Sequence, residues 1–217
     1  MTDTKEISQS VFTPSAVSSD TVQYVKRLQD QSERAVSIGI PMMRDYFAPL
    51  SAPQLCSVVA QTSQYKSGFL HSWELELARQ LIQQGRKDEI IVHVSVEECV
   101  EEQGILQLAV ASGEDTNDLA RGHVKDWIRL TQVAVDIGTI PIYRIGNSML
   151  HPDDLPNLYL SNMVKAIEYL QKEMMAWRPR IAAIFFDYLQ AFPFDPEHRI
   201  PGNDQRRLQV RDDVYRL

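Results

Sequence analysis

Four short apolar runs, rich in β-branched residues, divide this chain at intervals too long for hairpins and long enough for helices. They are Gln54–Ala60, Glu89–Ser95, Ile140–Ile145 and Ile181–Phe186. Between the first two, Leu70, Trp73, Leu77 and Leu81 recur at helical spacing, and Gly85 supplies a stop. Val96–Leu108 reads as a second helix, with Gly113–Asn117 as the loop behind it. Asp118–Val135 reads as a long third helix carrying Val124, Trp127, Thr131 and Val135 in register. Asn157–Trp177 is a fourth, with Leu160, Val164, Ile167, Leu170 and Met174 facing inward. Pro141 places the third run at a strand start or a sheet edge. Strands alternating with helices imply right-handed crossovers and a mostly parallel sheet covered on both faces. Ligands of such α/β sheets bind beyond the carboxyl ends of the strands.

The 217 residues suit one domain, or one domain with a terminal extension. Residues 1–19 lack periodicity and read as a flexible arm, and Ser19-Asp20 can cap a short helix bearing Val22, Val25 and Leu28. The expected division is therefore an arm and helix over 1–34 and an α/β domain over 35–217. Ile38–Pro53 holds three prolines and reads as a connector with a short helical piece. Hydrophobic residues at 44% leave enough material for a sizeable core. A formal net charge of −7 argues against a protein that coats nucleic acid through a basic surface. It leaves room for a local basic lining. Cys56 and Cys99 lack a disulfide framework and read as reduced thiols. No apolar run approaches the ~18 residues of a membrane span, and the polar first residues hold no signal core. Together these point to a cytoplasmic protein.

The first run leads through Gln61-Thr-Ser-Gln-Tyr-Lys-Ser67 directly into a helix. A phosphate site needs N–H groups at a helix N-terminus, a lysine to reach the β and γ phosphates, and a hydroxyl to hold Mg²⁺. Lys66 and Ser67 stand where the last two requirements would be met. Against G-x-x-x-x-G-K-[ST] the final two positions match, while Ala60 and Tyr65 replace both glycines. Glycine permits positive φ and close approach to a phosphate, so Tyr65 must adopt a permitted conformation or distort the cradle. The fourth run delivers Asp187 to the mouth of the sheet, the place of a carboxylate that holds Mg²⁺ through water. Asp187 could instead begin a loop and cap the next segment.

Ile184-Phe-Phe-Asp-Tyr-Leu-Gln190 resembles the Walker B region of the RecA-like ATPase domain of DnaB-type replicative helicases, where an apolar strand runs into Asp-Tyr-Leu-Gln. Ser95-Val-Glu-Glu98 resembles the family's Ser-Leu-Glu-Met, and Ser63-Gln-Tyr-Lys-Ser67 its Ser-Met-Gly-Lys-Thr phosphate loop. Ile38–Leu55 resembles its lead-in. The similarity covers roughly residues 35–215. It implies a RecA-like P-loop fold that binds ATP and Mg²⁺ and hydrolyses ATP to act on DNA. Ser63, Gln64, Tyr65, Lys66 and Ser67 would then cradle the phosphates, and Ser67 and Asp187 would hold the metal. Glu97 would be the catalytic base, with Glu98 the alternative in an acidic cluster that also suits an exposed helix start. Gln190 would sit near the γ-phosphate or couple to DNA. Single-stranded DNA and a homo-oligomer, hexameric by resemblance, are the implied partners.

The sequence departs from the family at the two glycines, and it stops at Leu217, where the family's domain continues. The expectation is a sheet incomplete on its C-terminal side, with an unpaired edge that favours self-association. A RecA-like scaffold that has lost turnover is the competing function, and a recombinase- or clock-type ATPase a third. The five histidines show no ligand spacing. Trp73, Trp127 and Trp177 fall on apolar helix faces that suit a core. Arg206, Arg207 and Arg211 could meet phosphate or form a solvated face.

Overall fold

The structure is a computed structural model that describes residues 13–32, 35–38, 40–44, 46–50, 54–61, 65–150, 159–174 and 178–187. The chain divides into two compact units, Met1–Ser57 and Val58–Leu217. The first holds helices α1 (Pro14–Ser32) and α2 (Pro41–Arg44) and an isolated antiparallel bridge between Val36 and Leu50. Helix α1 begins at Pro14, earlier than a Ser19-Asp20 cap would allow. Proline at a first helical position loses nothing, because its missing N–H would be unpaired there anyway.

The second unit is α/β. Its elements run α3 (Lys66–Gln83), β1 (Glu89–Ser95), α4 (Val100–Ser112), α5 (Thr116–Ala120), α6 (Trp127–Gly138), β2 (Ile142–Ile145), α7 (Leu160–Tyr169), a π-helical turn (Leu170–Met174) and β3 (Arg180–Asp187). The sheet has three strands in the order β2-β1-β3, and both pairings are parallel. Val94 pairs with Ile145 on one side and Phe186 on the other, and Ser95 pairs with Asp187. The strands therefore end at a common rim.

Strand β1 is buried along its whole length, as a central parallel strand must be. Its side chains alternate between two different interiors. Ile90, Val92 and Val94 form an apolar cluster with Met163 and Leu170. On the opposite face His93 meets α3. Helix α3 buries Leu70, Trp73, Leu75, Leu77, Ala78 and Leu81, and Trp73 packs edge-to-face on Phe185 of β3 with ring centroids 5.6 Å apart. Gly85, at φ 70°, ends the helix. Its left-handed conformation lets the Arg86 N–H reach the Leu81 carbonyl at 2.9 Å.

Four readings of the sequence are corrected. Gln54–Ala60 forms no strand, and Leu55 and Val59 are 77% and 92% exposed. An apolar run becomes a strand only when a neighbour completes its ladder, and none does so here among the described residues. The span Asp118–Val135 is broken: α5 starts at Thr116 inside the expected loop, capped by the Asp115 carboxylate. A turn at Gly122, φ 73°, then separates it from α6. Trp127 and Val135 point outward at 63% and 58% exposure, so the apolar face of α6 is not the buried one. On α7, Met163 is fully buried whereas Val164 is exposed. Met163 takes the buried place read for Val164, while Leu170 is buried as read and Ile167 packs against the same cluster. Trp177, the arm through residue 12 and everything after Asp187 lie outside the described residues.

Candidate functional site

At the carboxyl rim the start of α3 meets the end of β3. The Lys66 ammonium lies 2.8 Å from Oδ1 of Asp187, and the Ser67 hydroxyl donates to Oδ2 at 2.5 Å. Both oxygens of a carboxylate that is 1% exposed are thus engaged by consecutive residues of one helix turn. Position 65 makes this geometry. Tyr65 is the N-cap of α3 at φ 53°, ψ 31°, left-handed, and makes no side-chain capping bond. It holds the conformation a glycine would take freely, at a cost of about 1–2 kcal/mol for a residue with Cβ. Its ring is 88% exposed, so the strain lies in the backbone and not in packing. With no side-chain cap, the helix N-terminus keeps donors for an anion.

The turn after β1 contributes the third wall. Glu97 is exposed, whereas Glu98 is half-buried. The Ser95 hydroxyl accepts the Glu98 N–H at 3.1 Å, and the Gln103 side-chain amide donates to the Glu98 carbonyl at 3.0 Å. These bonds fix the turn that carries the carboxylate. Burial first, then the Asp187 charge and more weakly Glu102, push the Glu98 carboxyl above its ordinary range, while His71 and the Ser67 hydroxyl oppose the rise. Its Oε2 is buried and makes no hydrogen bond among the described residues. Of the two acids, Glu98 is the one that stands with Asp187 and Ser67. The Ser95 to Glu98 spacing, a serine bonding an N–H three residues on, was the available signal.

Ser63, Gln64 and Gln190 lie outside the described residues, as do Arg206, Arg207 and Arg211. The hard oxygens of Ser67 and Asp187 fit a divalent cation of the magnesium type, and Lys66 beside an uncapped helix N-terminus fits a phosphate chain.

One turn further along α3 lies a polar network that the sequence reading did not identify. Glu74 is fully buried. Its Oε1 lies 2.6 Å from His71 Nδ1, and its Oε2 2.6 Å from His93 Nδ1. Arg144 on β2 donates to Oε1 at 2.7 Å and also to the side-chain oxygens of Gln103 and Gln107 on α4. The two imidazoles are stacked, with centroids 4.8 Å apart. Burial alone would raise the Glu74 carboxyl. The histidine hydrogen bonds and the fields of His93 and Arg144 outweigh it and hold the group well below the ordinary carboxylate range. The candidate ligand atoms of His71, Glu74 and His93 all lie within 4.8 Å of one another, and the Arg144 guanidinium balances the carboxylate they share. The signal was three polar side chains at inward positions of α3 and β1.

Among the described residues no helix is long and apolar enough to cross a membrane. No family model matches the chain, and no curated protein matches it.

Proposed function

We propose that the chain binds a nucleoside triphosphate, ATP by resemblance, with Mg²⁺ at the carboxyl rim of its sheet, and hydrolyses it as a RecA-like P-loop motor domain of the DnaB type. The observation that carries the reading is the meeting of Lys66, Ser67 and Asp187 at one point, where the first turn of α3 abuts the end of β3. Lys66 leaves Asp187 for the β and γ phosphates, and the Ser67 hydroxyl and the Asp187 carboxylate hold the metal. Bound magnesium neutralises charge on the phosphate oxygens. Glu98, half-buried beside Asp187 with its carboxyl raised by burial and by the Asp187 charge, orients the attacking water and accepts its proton. Glu97, the base that the resemblance implies, is exposed. On the same reading the protein is cytoplasmic, acts on single-stranded DNA and assembles as a homo-oligomer.

One observation favours a second reading, a RecA-like scaffold with weak or no turnover. Among the described residues no strand precedes the phosphate loop, and a tyrosine occupies the position where glycine would admit a phosphate closely. Calorimetry with Mg-ATP on the wild type and on Lys66→Ala separates the two. Saturable binding that falls at least tenfold in Lys66→Ala supports the nucleotide site. Absence of binding in both proteins selects the scaffold, and equal binding in both rejects the assigned site.

A further inference from the structure

We infer that Gln103 is a positioning residue for the acidic turn 96–98, and that Arg144 sets which way its amide points. Its part in turnover rests on the nucleotide reading above, whereas its hold on the turn does not. The Gln103 side chain is fully buried. Its Nε2 donates to the Glu98 carbonyl at 3.0 Å, and its Oε1 accepts from Arg144 Nη1 at 2.9 Å. A guanidinium only donates and a carbonyl only accepts. One orientation of the amide therefore satisfies both neighbours. The flipped one sets donor against donor and acceptor against acceptor. Arg144 is itself held, because its Nη2 donates to Glu74 Oε1 at 2.7 Å and to Gln107 Oε1 at 2.9 Å.

Backbone closes on the same amide from the end of β2. A Cβ on Gly146 would stand 3.1 Å from Gln103 Nε2 and 3.2 Å from the Ser95 carbonyl oxygen, a close approach that glycine permits. Glu74 belongs to α3, the helix whose first turn carries Lys66 and Ser67. A continuous chain of hydrogen bonds thus runs from the acidic turn through Gln103, Arg144 and Glu74 to the helix that would hold the phosphates. It keeps the acids of the turn in register with Lys66 and Ser67. Its loss lowers turnover by misplacing an acid and takes away no nucleotide ligand.

The test joins amide hydrogen exchange, followed by NMR, to ATP hydrolysis and calorimetry with Mg-ATP. Gln103→Glu keeps the acceptor for Arg144 and removes the donor to the Glu98 carbonyl. Arg144→Lys keeps the charge beside Glu74, but one ammonium does not replace the two arms of a guanidinium. In both variants exchange at the Glu98 N–H, which donates to the Ser95 hydroxyl, rises at least tenfold. Exchange at Leu77 and Leu81 of α3 stays within about twofold, which a general loss of stability would not allow. Unchanged exchange at Glu98, or equal acceleration in α3, overturns the inference. If neither variant folds, Gly146→Ala crowds the same amide with both hydrogen-bonding groups present, and the same criterion applies. In ATP hydrolysis kcat falls at least tenfold, while Mg-ATP affinity stays within about twofold. An unchanged kcat, or an equal loss of affinity, overturns the positioning role. A wild type that binds no Mg-ATP, with Glu98 exchange released in the variants, ends the proposed function and leaves the hold on the turn standing.

Discussion

Arg144 reaches from β2 to Glu74 on α3, placing Nη2 2.7 Å from Oε1 of a carboxylate that is fully buried. Removing the guanidinium leaves that carboxylate without its fixed positive partner and also frees the acceptors of Gln103 and Gln107. Arg144→Met is therefore expected to cost about 3–5 kcal/mol, the range for breaking a buried ion pair from one side. Urea unfolding measures it. Because Glu74 and Arg144 act as a unit, the double variant Glu74→Leu with Arg144→Met costs less than the sum of the single changes. Strict additivity would show that the pair is not coupled.

Much of the sheet was legible because its strands are driven by local composition. Glu89–Ser95 is a β-rich run with no competing helical period, and it forms a strand with those same limits. The run at Ile181 ends on Asp187 as read, extended by one residue at its start. Gln54–Ala60 has similar apolar character yet forms no strand, since local composition cannot report whether a neighbour completes the ladder. The site divides in the same way. Lys66 and Ser67 could be named from their match to the end of the phosphate-loop pattern and Asp187 from its place at the end of an apolar strand, although the strand read before the loop does not form. The choice of Glu98 over Glu97 depends on which way one turn faces. The Glu74 network depends on Arg144 arriving from a strand 70 positions away, and no local pattern encodes that.

Acid should release two structures in sequence-specific ways. The Ser148 hydroxyl and the Met149 N–H both donate to the Glu101 carboxylate, at 2.5 and 2.9 Å. These two bonds are the main reason its pKa is lowered to about 2. An unfolded glutamate titrates near 4.3. A lowered folded value means that the contribution is complete above about pH 5 and is lost as pH falls from about 4 toward 2. Glu74, also held low, changes stability with the same sign. Ser148→Ala should bring the Glu101 titration back toward the ordinary range, followed by NMR of its side-chain carbon. A Glu101 midpoint unchanged in Ser148→Ala would mean that the hydroxyl is not what holds it.

Helix α6 tests a different kind of claim, about which face is buried. Ile128 is 86% exposed, beside Trp127 at 63%, whereas Leu130 is the buried residue of the helix. The helical period identifies a helix without saying which of two apolar faces meets the core. Ile128→Lys should change stability by no more than about 0.5 kcal/mol. Leu130→Ala, which opens a cavity, should cost about 2–5 kcal/mol. Chemical denaturation of both variants decides it, and the reverse order would put Ile128 in the core.

Tyr65 carries the most direct test of how the phosphate loop is built. Its φ of 53° is a conformation that Cβ penalises and glycine does not. Tyr65→Gly removes about 1–2 kcal/mol of strain and gives back about 0.5–1 kcal/mol through the greater freedom of glycine in the unfolded chain. The net effect ranges from nothing to a stabilisation of about 1.5 kcal/mol. The ring contributes little to offset this, since it is 88% exposed. Tyr65→Ala removes the ring and keeps the strain, so it should not be stabilised. If the loop cradles phosphate, the glycine variant also binds Mg-ATP more tightly than wild type, because backbone N–H groups can approach the anion more closely. Calorimetry on the three proteins separates the effects. A Tyr65→Gly protein less stable than Tyr65→Ala would show that position 65 does not hold the left-handed conformation in solution, and the account of the loop would fall with it.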